Sequence, residues 1–202
     1  MNEKFYALPI EKQNRIINAG FKVFAENSYK KSPVNEIALE AGISKSLLFF
    51  YFKNKKELYL FLLKESEEIT KRTLMESGVY NKDDDIFDMM YKGLLVKAKM
   101  MRDYPDMGKF SIKAYYEKDP DIVNEVREII APYTEMKTNQ ALPPLDITKF
   151  KEGIDLRLMY QDMYLASEGY LWRMQQMDEL DIDKMVEDYK EIIEFWKKLY
   201  LK

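Results

Sequence analysis

The segment Ser32–Leu58, SPVNEIALEAGISKSLLFFYFKNKKEL, constrains this chain more than any other stretch. Ser32-Pro33 reads as an N-cap followed by a first-turn proline, opening a short helix with Ile37, Ala38 and Ala41 inward. Gly42 breaks that helix, and Ser44 caps a second one whose Leu48 and Phe52 point to the core. A lysine-rich entry to a third helix follows near Lys55. Two short helices about a glycine turn are the parts a helix-turn-helix needs to place one helix end-on in the DNA major groove.

The rest of the chain continues in helical spacing, with almost no alternation of the kind strands require. A helix over about 9–27 carries Ile16, Gly20, Val23 and Phe24 on its inner stripe. The helix beginning near Lys55 runs to about Ser77 and stops at Gly78. Asp83-Asp84-Asp85 opens a helix to about Arg102, Asp106 a short one to about Glu117, and Asp119-Pro120 one that passes Pro132 and reaches about Lys137. These acidic openings read as caps and as charges that complement the helix dipole, without ligand-spaced partners for a metal. Thr138–Asp146, with Pro143-Pro144, is the clearest loop. Two long helices, about 147–177 and 182–201, close the chain. The final helix has Met185, Tyr189, Ile192, Trp196 and Leu199 at near-heptad spacing, and the one before it has Leu156, Met159, Met163, Ser167, Tyr170 and Met174 on one face. Further apolar residues on other faces of both helices ask for more burial than a single neighbour supplies; a second subunit supplies it.

Composition narrows the function. The sequence has 202 residues, 47% hydrophobic and 33% charged, as befits a globular chain with a sizeable core. It has no cysteine and no histidine, which removes disulfides, thiolate chemistry, the commonest general base and the commonest metal ligand. The N-terminus lacks a signal-peptide pattern, and the longest early apolar run, Leu58–Leu63, is far too short to span a bilayer. These features agree with a cytoplasmic setting and no membrane partner. Net charge is −3, but residues 1–56 hold ten Lys/Arg against five Glu, leaving a basic head on an acidic body. No carboxylate constellation suggests an enzyme, and no metal or cofactor is called for.

The residues RIINAGFKVFAENSY followed by SPVNEIALEAGISKSLLFFYFKNKKEL resemble the TetR family of bacterial transcriptional regulators. The match covers about the first quarter of the chain. It implies an all-α fold: an N-terminal three-helix helix-turn-helix DNA-binding domain over 1–54, then a helical effector-binding and dimerisation domain over 55–202. The resemblance places Ser32, Ser44, Lys45, Ser46, Leu47, Phe49, Phe50, Tyr51 and Lys55 at the DNA. Lys45 has the chemistry to donate to guanine, Ser46 to several base edges, and Leu47 to touch a thymine methyl. Lys55 stands where a cation and free amides face a phosphate, and the Tyr51 hydroxyl is placed to reach another. Three positions depart from the pattern: Phe49 for the usual tyrosine, Pro33 for Ser/Thr, and Ser28 for Gly.

For the body, the resemblance implies a homodimer on a near-palindromic double-stranded operator, released by a small-molecule effector. Met89, Met100, Phe110, Tyr115, Tyr116, Met159, Met163 and Tyr164 lie in the segments that line pockets in relatives, and their chemistry suits a lipophilic effector. Met163, Tyr170, Met174, Met185, Tyr189, Ile192 and Trp196 are the expected dimer interface. The alternative reading is a helical lipid- or partner-binding protein with a degenerate DNA-binding head.

Overall fold

Ten α-helices and one short 3-10 turn make up the regular structure among the residues described by the computed structural model, which are 3–79, 84–138, 145–176 and 181–202, with main chain alone at 133–138 and 174–176. The helices are α1 (Glu3–Tyr6), α2 (Ile10–Glu26), α3 (Val34–Glu40), α4 (Lys45–Tyr51), α5 (Lys55–Glu76), α6 (Ile86–Asp103), α7 (Met107–Tyr115), α8 (Val123–Thr138), α9 (Leu156–Gln176) and α10 (Ile182–Tyr200). The all-α expectation holds. Among the described residues, no helix is long and apolar enough to cross a membrane.

The chain forms two compact units. One holds the chain up to Lys71 together with Asp103–Thr138; the other holds Arg72–Arg102 and the described residues from Leu145 onward. In the first unit, α2 buries Ile16, Gly20, Val23 and Phe24 as its spacing predicts, joined by Ile17, Ala19 and Phe21. Gly20 is required by a close helix approach: a Cβ there would lie 2.4 Å from Leu62 Cδ1 of α5. The long helix α5 ends near Gly78, whose φ of +64° is the left-handed conformation expected of a helix stop. Helices α7 and α8 also belong to this unit. Phe110 of α7 is fully buried, its ring against Phe21 and Phe24 of α2 and Tyr59 of α5 at centroid distances of 5.3, 6.1 and 5.1 Å. The short helix α1 is an element the periodicity does not announce, and its Phe5 is fully buried.

In the second unit, α6, α9 and α10 share a core of Ile86, Phe87, Leu94, Ala98, Phe150, Met159, Met163, Met185, Tyr189, Ile193 and Trp196. Its helices open on aspartates. Asp85 Oδ1 accepts from the Phe87 and Asp88 amides at 2.8 and 2.9 Å, and Asp181 Oδ1 from the Asp183 and Lys184 amides at 3.0 Å each. Asp84 pairs with Lys92, and Asp88 with Lys197 at 2.8 Å, which holds the Asp88 carboxyl below its ordinary range. Asp83 of the acidic triplet and the Pro143-Pro144 loop lie outside the described residues.

One helix boundary differs markedly from expectation. Instead of a helix from Ile147, the chain makes a 3-10 turn at Ile147–Lys149, and α9 starts only at Leu156. The intervening segment is tied to the end of α10. The Lys151 amide donates to Tyr200 O at 2.9 Å and the Lys202 amide to Lys149 O at 3.0 Å, while Lys151 Nζ donates to the carbonyls of Lys198 and Leu199 at 2.8 and 3.0 Å. Gly153, at φ +81°, then turns the chain, and Asp155 Oδ1 caps α9 by accepting from the Leu158 amide at 3.0 Å. Residues with suitable periodicity are thus diverted to satisfy the orphan carbonyls of another helix.

Candidate nucleic-acid interface

The turn between α3 and α4 is built as the sequence indicates. Gly42 adopts φ +66°, and the Ile43 amide returns to Ala38 O at 2.9 Å, closing α3. Ser44 caps α4, its Oγ accepting from the Leu47 amide at 3.1 Å and lying 3.0 Å from Ser46 Oγ. Leu48 and Phe52 are buried and anchor the helix. The opposite side presents Lys45 and Ser46 exposed, Leu47 and Phe49 half-buried, and Phe50 exposed at 56% of its surface. Lys22 of α2 reaches Glu40 of α3 at 2.8 Å, so the first helix of the motif is braced from behind, and the pairing raises the Lys22 ammonium pKa.

Two predicted contact residues sit elsewhere. Ser32 is buried, and its hydroxyl donates to Ser28 O at 2.8 Å; the N-cap position of α3 is Pro33, which makes no side-chain cap. Ser32 therefore stabilises the α2–α3 connection and does not cap. Tyr51 is also buried, with its ring edge-on to Phe5 at 6.2 Å, so it serves chiefly to seat the end of α4.

The lysines differ in what holds them. Lys55 Nζ donates to Lys30 O at 3.0 Å and Ser32 O at 3.4 Å and stands 4.9 Å from the Tyr29 ring centroid, tying the start of α5 to the loop before α3. Lys56 pairs with Glu125 of α8 at 2.5 Å, which lowers the Glu125 carboxyl pKa. Lys53 is exposed, 3.6 Å from Glu57, and Lys45 Nζ lies 5.8 Å from the Phe49 centroid. Asn54, which residue spacing did not single out, caps α5 by accepting from the Glu57 amide at 2.8 Å. The Asn54-x-x-Glu57 pattern is the signal that identifies it. Nearby, burial first and the acidic residues of the α7–α8 connection second raise the Tyr29 hydroxyl pKa, as burial and Glu117 do for Tyr59, so both stay protonated.

The expected effector residues divide between the units. Phe110 is an aromatic bolt in the core, and Tyr115 and Tyr116 are exposed, edge-on to each other at 5.0 Å. Met159 and Met163 are buried in the second core; Met89 and Met100 are half-buried, as is Tyr164, whose hydroxyl donates to Glu168 at 2.6 Å. On α5, Glu67 Oε1 is enclosed without a hydrogen-bond partner among the described residues. Burial, with a smaller push from Glu68, raises that carboxyl to about 7.

The expected dimer residues need a larger correction. Met163, Met185, Tyr189 and Trp196 are buried within the protomer's own core, so they hold α9 to α10 and α6. Tyr170 and Ile192 pack half-buried against that core, with Tyr170 edge-on to Tyr189 at 5.0 Å and its hydroxyl donating to Asp188 at 2.9 Å. The Met174 side chain lies outside the described residues. The exposed apolar residues of these helices are instead Leu158, Leu165 and Trp172 on α9, spaced as a heptad, and Phe195 and Leu199 on α10.

Comparison with known proteins agrees with this geometry. Residues 16–61 match the family model of bacterial regulatory proteins of the tetR family, a span covering most of α2, then α3, α4 and the start of α5. The fatty acid metabolism regulator protein of Bacillus subtilis strain 168 is 26% identical over 159 residues, covering 76% of this chain and 78% of that protein. A TetR family transcriptional regulator from Chloroflexus aurantiacus J-10-fl shares the fold at a TM-score of 0.60 and 19% identity, over 99% of this chain and 98% of that one. The B. subtilis regulator FadR, solved in complex with stearoyl-CoA, does so at 0.56 and 20% identity, over 89% of this chain and 96% of that one. Residues 16–61 therefore match a helix-turn-helix domain of the tetR type, and over most of its length the chain is similar to TetR-family transcriptional regulators in sequence and in fold.

Proposed function

We propose that the protein is a ligand-responsive repressor, without enzymatic activity, that acts in the cytoplasm. It binds a near-palindromic operator as a homodimer and is released by a long-chain acyl effector, of which an acyl-CoA is the first candidate. The observation carrying the DNA-binding part is the capped reading helix, with Lys45, Ser46, Leu47, Phe49 and Phe50 turned outward over a buried Leu48 and Phe52. Reading is assigned to residues 1–54 and effector binding and pairing to 55–202. Lys45 and Ser46 donate to base edges, Leu47 touches a thymine methyl, and Lys55, with one N–H beyond its two carbonyl partners, meets a phosphate. The head has kept its cap, its left-handed glycine and its core, which favours a working reader over a degenerate one.

Pairing through α9 and α10 is supported by the exposed heptad Leu158, Leu165 and Trp172 together with Phe195 and Leu199. The lipid effector is supported by similarity to the B. subtilis fatty acid metabolism regulator protein in sequence and to the B. subtilis FadR structure with stearoyl-CoA in fold. Within the first unit, Phe110 against Tyr59 and Glu125 against Lys56 link α7 and α8 to the start of α5. A ligand that favours another arrangement of the body therefore shifts the reading heads, and DNA and effector oppose each other through one coupling free energy of about 1–3 kcal/mol. The test is duplex release: stearoyl-CoA added to the protein–DNA complex lowers DNA affinity about 5- to 150-fold, as that coupling requires. Unchanged affinity at saturating stearoyl-CoA, with binding of the lipid shown separately, contradicts the release mechanism.

A further inference from the structure

The reading helix carries two phenylalanines, Phe49 and Phe50, whose rings have no hydroxyl to offer a phosphate, and each has a lysine ammonium against its ring. Lys45 of α4 itself lies 5.8 Å from the Phe49 centroid. Lys4, which belongs to α1, lies 4.1 Å from the centroid of Phe50. Cations at that distance from a ring face are attracted by its quadrupole, by about 0.5–1 kcal/mol at exposed sites.

The neighbouring residues fix Lys4 in place. Phe5 is fully buried, edge-on to Tyr51 at 6.2 Å and Phe61 at 5.0 Å, and tilted against Phe52 at 5.3 Å. The Tyr6 hydroxyl donates to Glu65 of α5 at 2.9 Å, and Gln13 Nε2 donates to the carbonyls of Tyr6 and Leu8 at 3.2 and 2.8 Å. Two consecutive residues of α1, Phe5 and Tyr6, are therefore fastened to the end of α4 and to α5, and the ammonium is presented beside an exposed ring with part of its ordering cost already met. Its charge is also unspent. Lys22 and Lys56 are matched by Glu40 and Glu125, and Lys55 is held by carbonyls, whereas no described carboxylate pairs with Lys4. A ring face occupies none of the strong hydrogen-bonding capacity of an ammonium, so its N–H groups remain for a phosphate oxygen.

We propose that Lys4 is a further DNA-contacting residue: seated on Phe50 and presented by α1, its ammonium donates to a backbone phosphate beside the reading helix, and Phe5 is the positioning residue for both. This rests on the reading of α4 as the helix that meets DNA. Lys4 thus supplies, from outside the helix-turn-helix, the donor that a phenylalanine at position 50 lacks.

The experiment is a fluorescence-anisotropy titration of the full chain with a short mixed-sequence duplex, between about 50 and 200 mM salt. Lys4→Ala is expected to lower the slope of log affinity against log salt by about one per head, about two for the dimer, and to weaken binding at least about fivefold near 0.15 M salt. Lys4→Arg restores both, and the thermal stability of Lys4→Ala stays within a few degrees of the wild type because the side chain is exposed. A Lys4→Ala slope equal to wild type, beside a Lys45→Ala slope that falls by about one per head, overturns the assignment of Lys4 and leaves the reading of α4 intact. A wild-type protein with no salt-dependent retention overturns both.

Discussion

The reading head and the α9–α10 pair both bring apolar side chains to the surface, and their surroundings differ. In the head, Phe50 is exposed beside Lys4, and half-buried Phe49 lies beside Lys45. Aromatic faces ringed by cations suit a polyanion, where each phosphate displaces a counterion and stacking or methyl contacts add to the charge. On α9 and α10, Leu158, Leu165, Trp172 and Phe195 are exposed among both acids and bases, including Asp162, Glu168, Arg173, Glu191 and Lys198. A face with both signs of charge around an apolar stripe can complement a copy of itself. The same exposure of hydrophobic surface therefore points to two partners, and the neighbouring charge tells them apart.

The sharpest way to break this comparison is to exchange a core residue for a surface one on α9. Met163→Ala is expected to destabilise the fold by about 2–5 kcal/mol, because its buried side chain leaves a cavity between α9 and α10. Leu165→Glu, only two residues away and exposed, should leave each protomer folded while converting the proposed dimer to monomer in sedimentation analysis. A folded Leu165→Glu protein of unchanged mass would show that the apolar stripe serves some other partner.

Glu67 separates the head from the pair in a different way, through pH. Its carboxyl is raised from 4.5 to about 7, so the folded state prefers it neutral. That contribution to stability is present below about pH 4.5 and is lost as pH rises through about 7, when a poorly solvated charge must form. Glu67→Gln should accordingly raise the unfolding temperature at pH 8 and leave it nearly unchanged at pH 5. Equal effects at both pH values would show that the enclosed oxygen is not what shifts the group.

The smallest expected effect concerns the tie between head and body elements of the first unit. Glu125→Gln removes the carboxylate that occupies Lys56 and frees that ammonium for phosphate. Duplex affinity should rise by a few fold, with the salt slope growing by up to about one per head. A fall in affinity would mean that the ion pair orients α5 for DNA instead of competing with it.

How much of this was legible in the sequence differs between the same two regions. The head was readable because its signals are local: Ser44 as cap, Gly42 as left-handed turn, and Leu48 and Phe52 as core are fixed by neighbours within a few residues. What escaped there depends on distant partners. Phe5 has no periodic companion that marks it as core, and the burial of Ser32 follows from its bond to Ser28. In the α9–α10 pair the apolar stripe is plain in the sequence, and its neighbour is not. A stripe of Met185, Tyr189 and Trp196 states that something covers it, and periodicity does not say whether the cover is α9 of the same chain or a second copy. The start of α9 failed for a related reason: Lys151 and Phe150 are claimed by the end of α10, a tertiary contact that overrides helical spacing. The effector residues are the least legible, since Met and aromatic side chains serve core and pocket alike, and Phe110, Met159 and Met163 are buried, as either role requires.

The most direct test of the account is the salt dependence of duplex binding by the wild-type protein, measured beside the Leu165→Glu variant. If the head meets phosphates and the pair joins two heads, wild-type affinity falls linearly on a log–log plot, and the monomeric variant falls with about half that slope. Binding that is absent at low salt, or that does not change with salt, contradicts the assignment of Lys45, Lys55 and their neighbours to DNA.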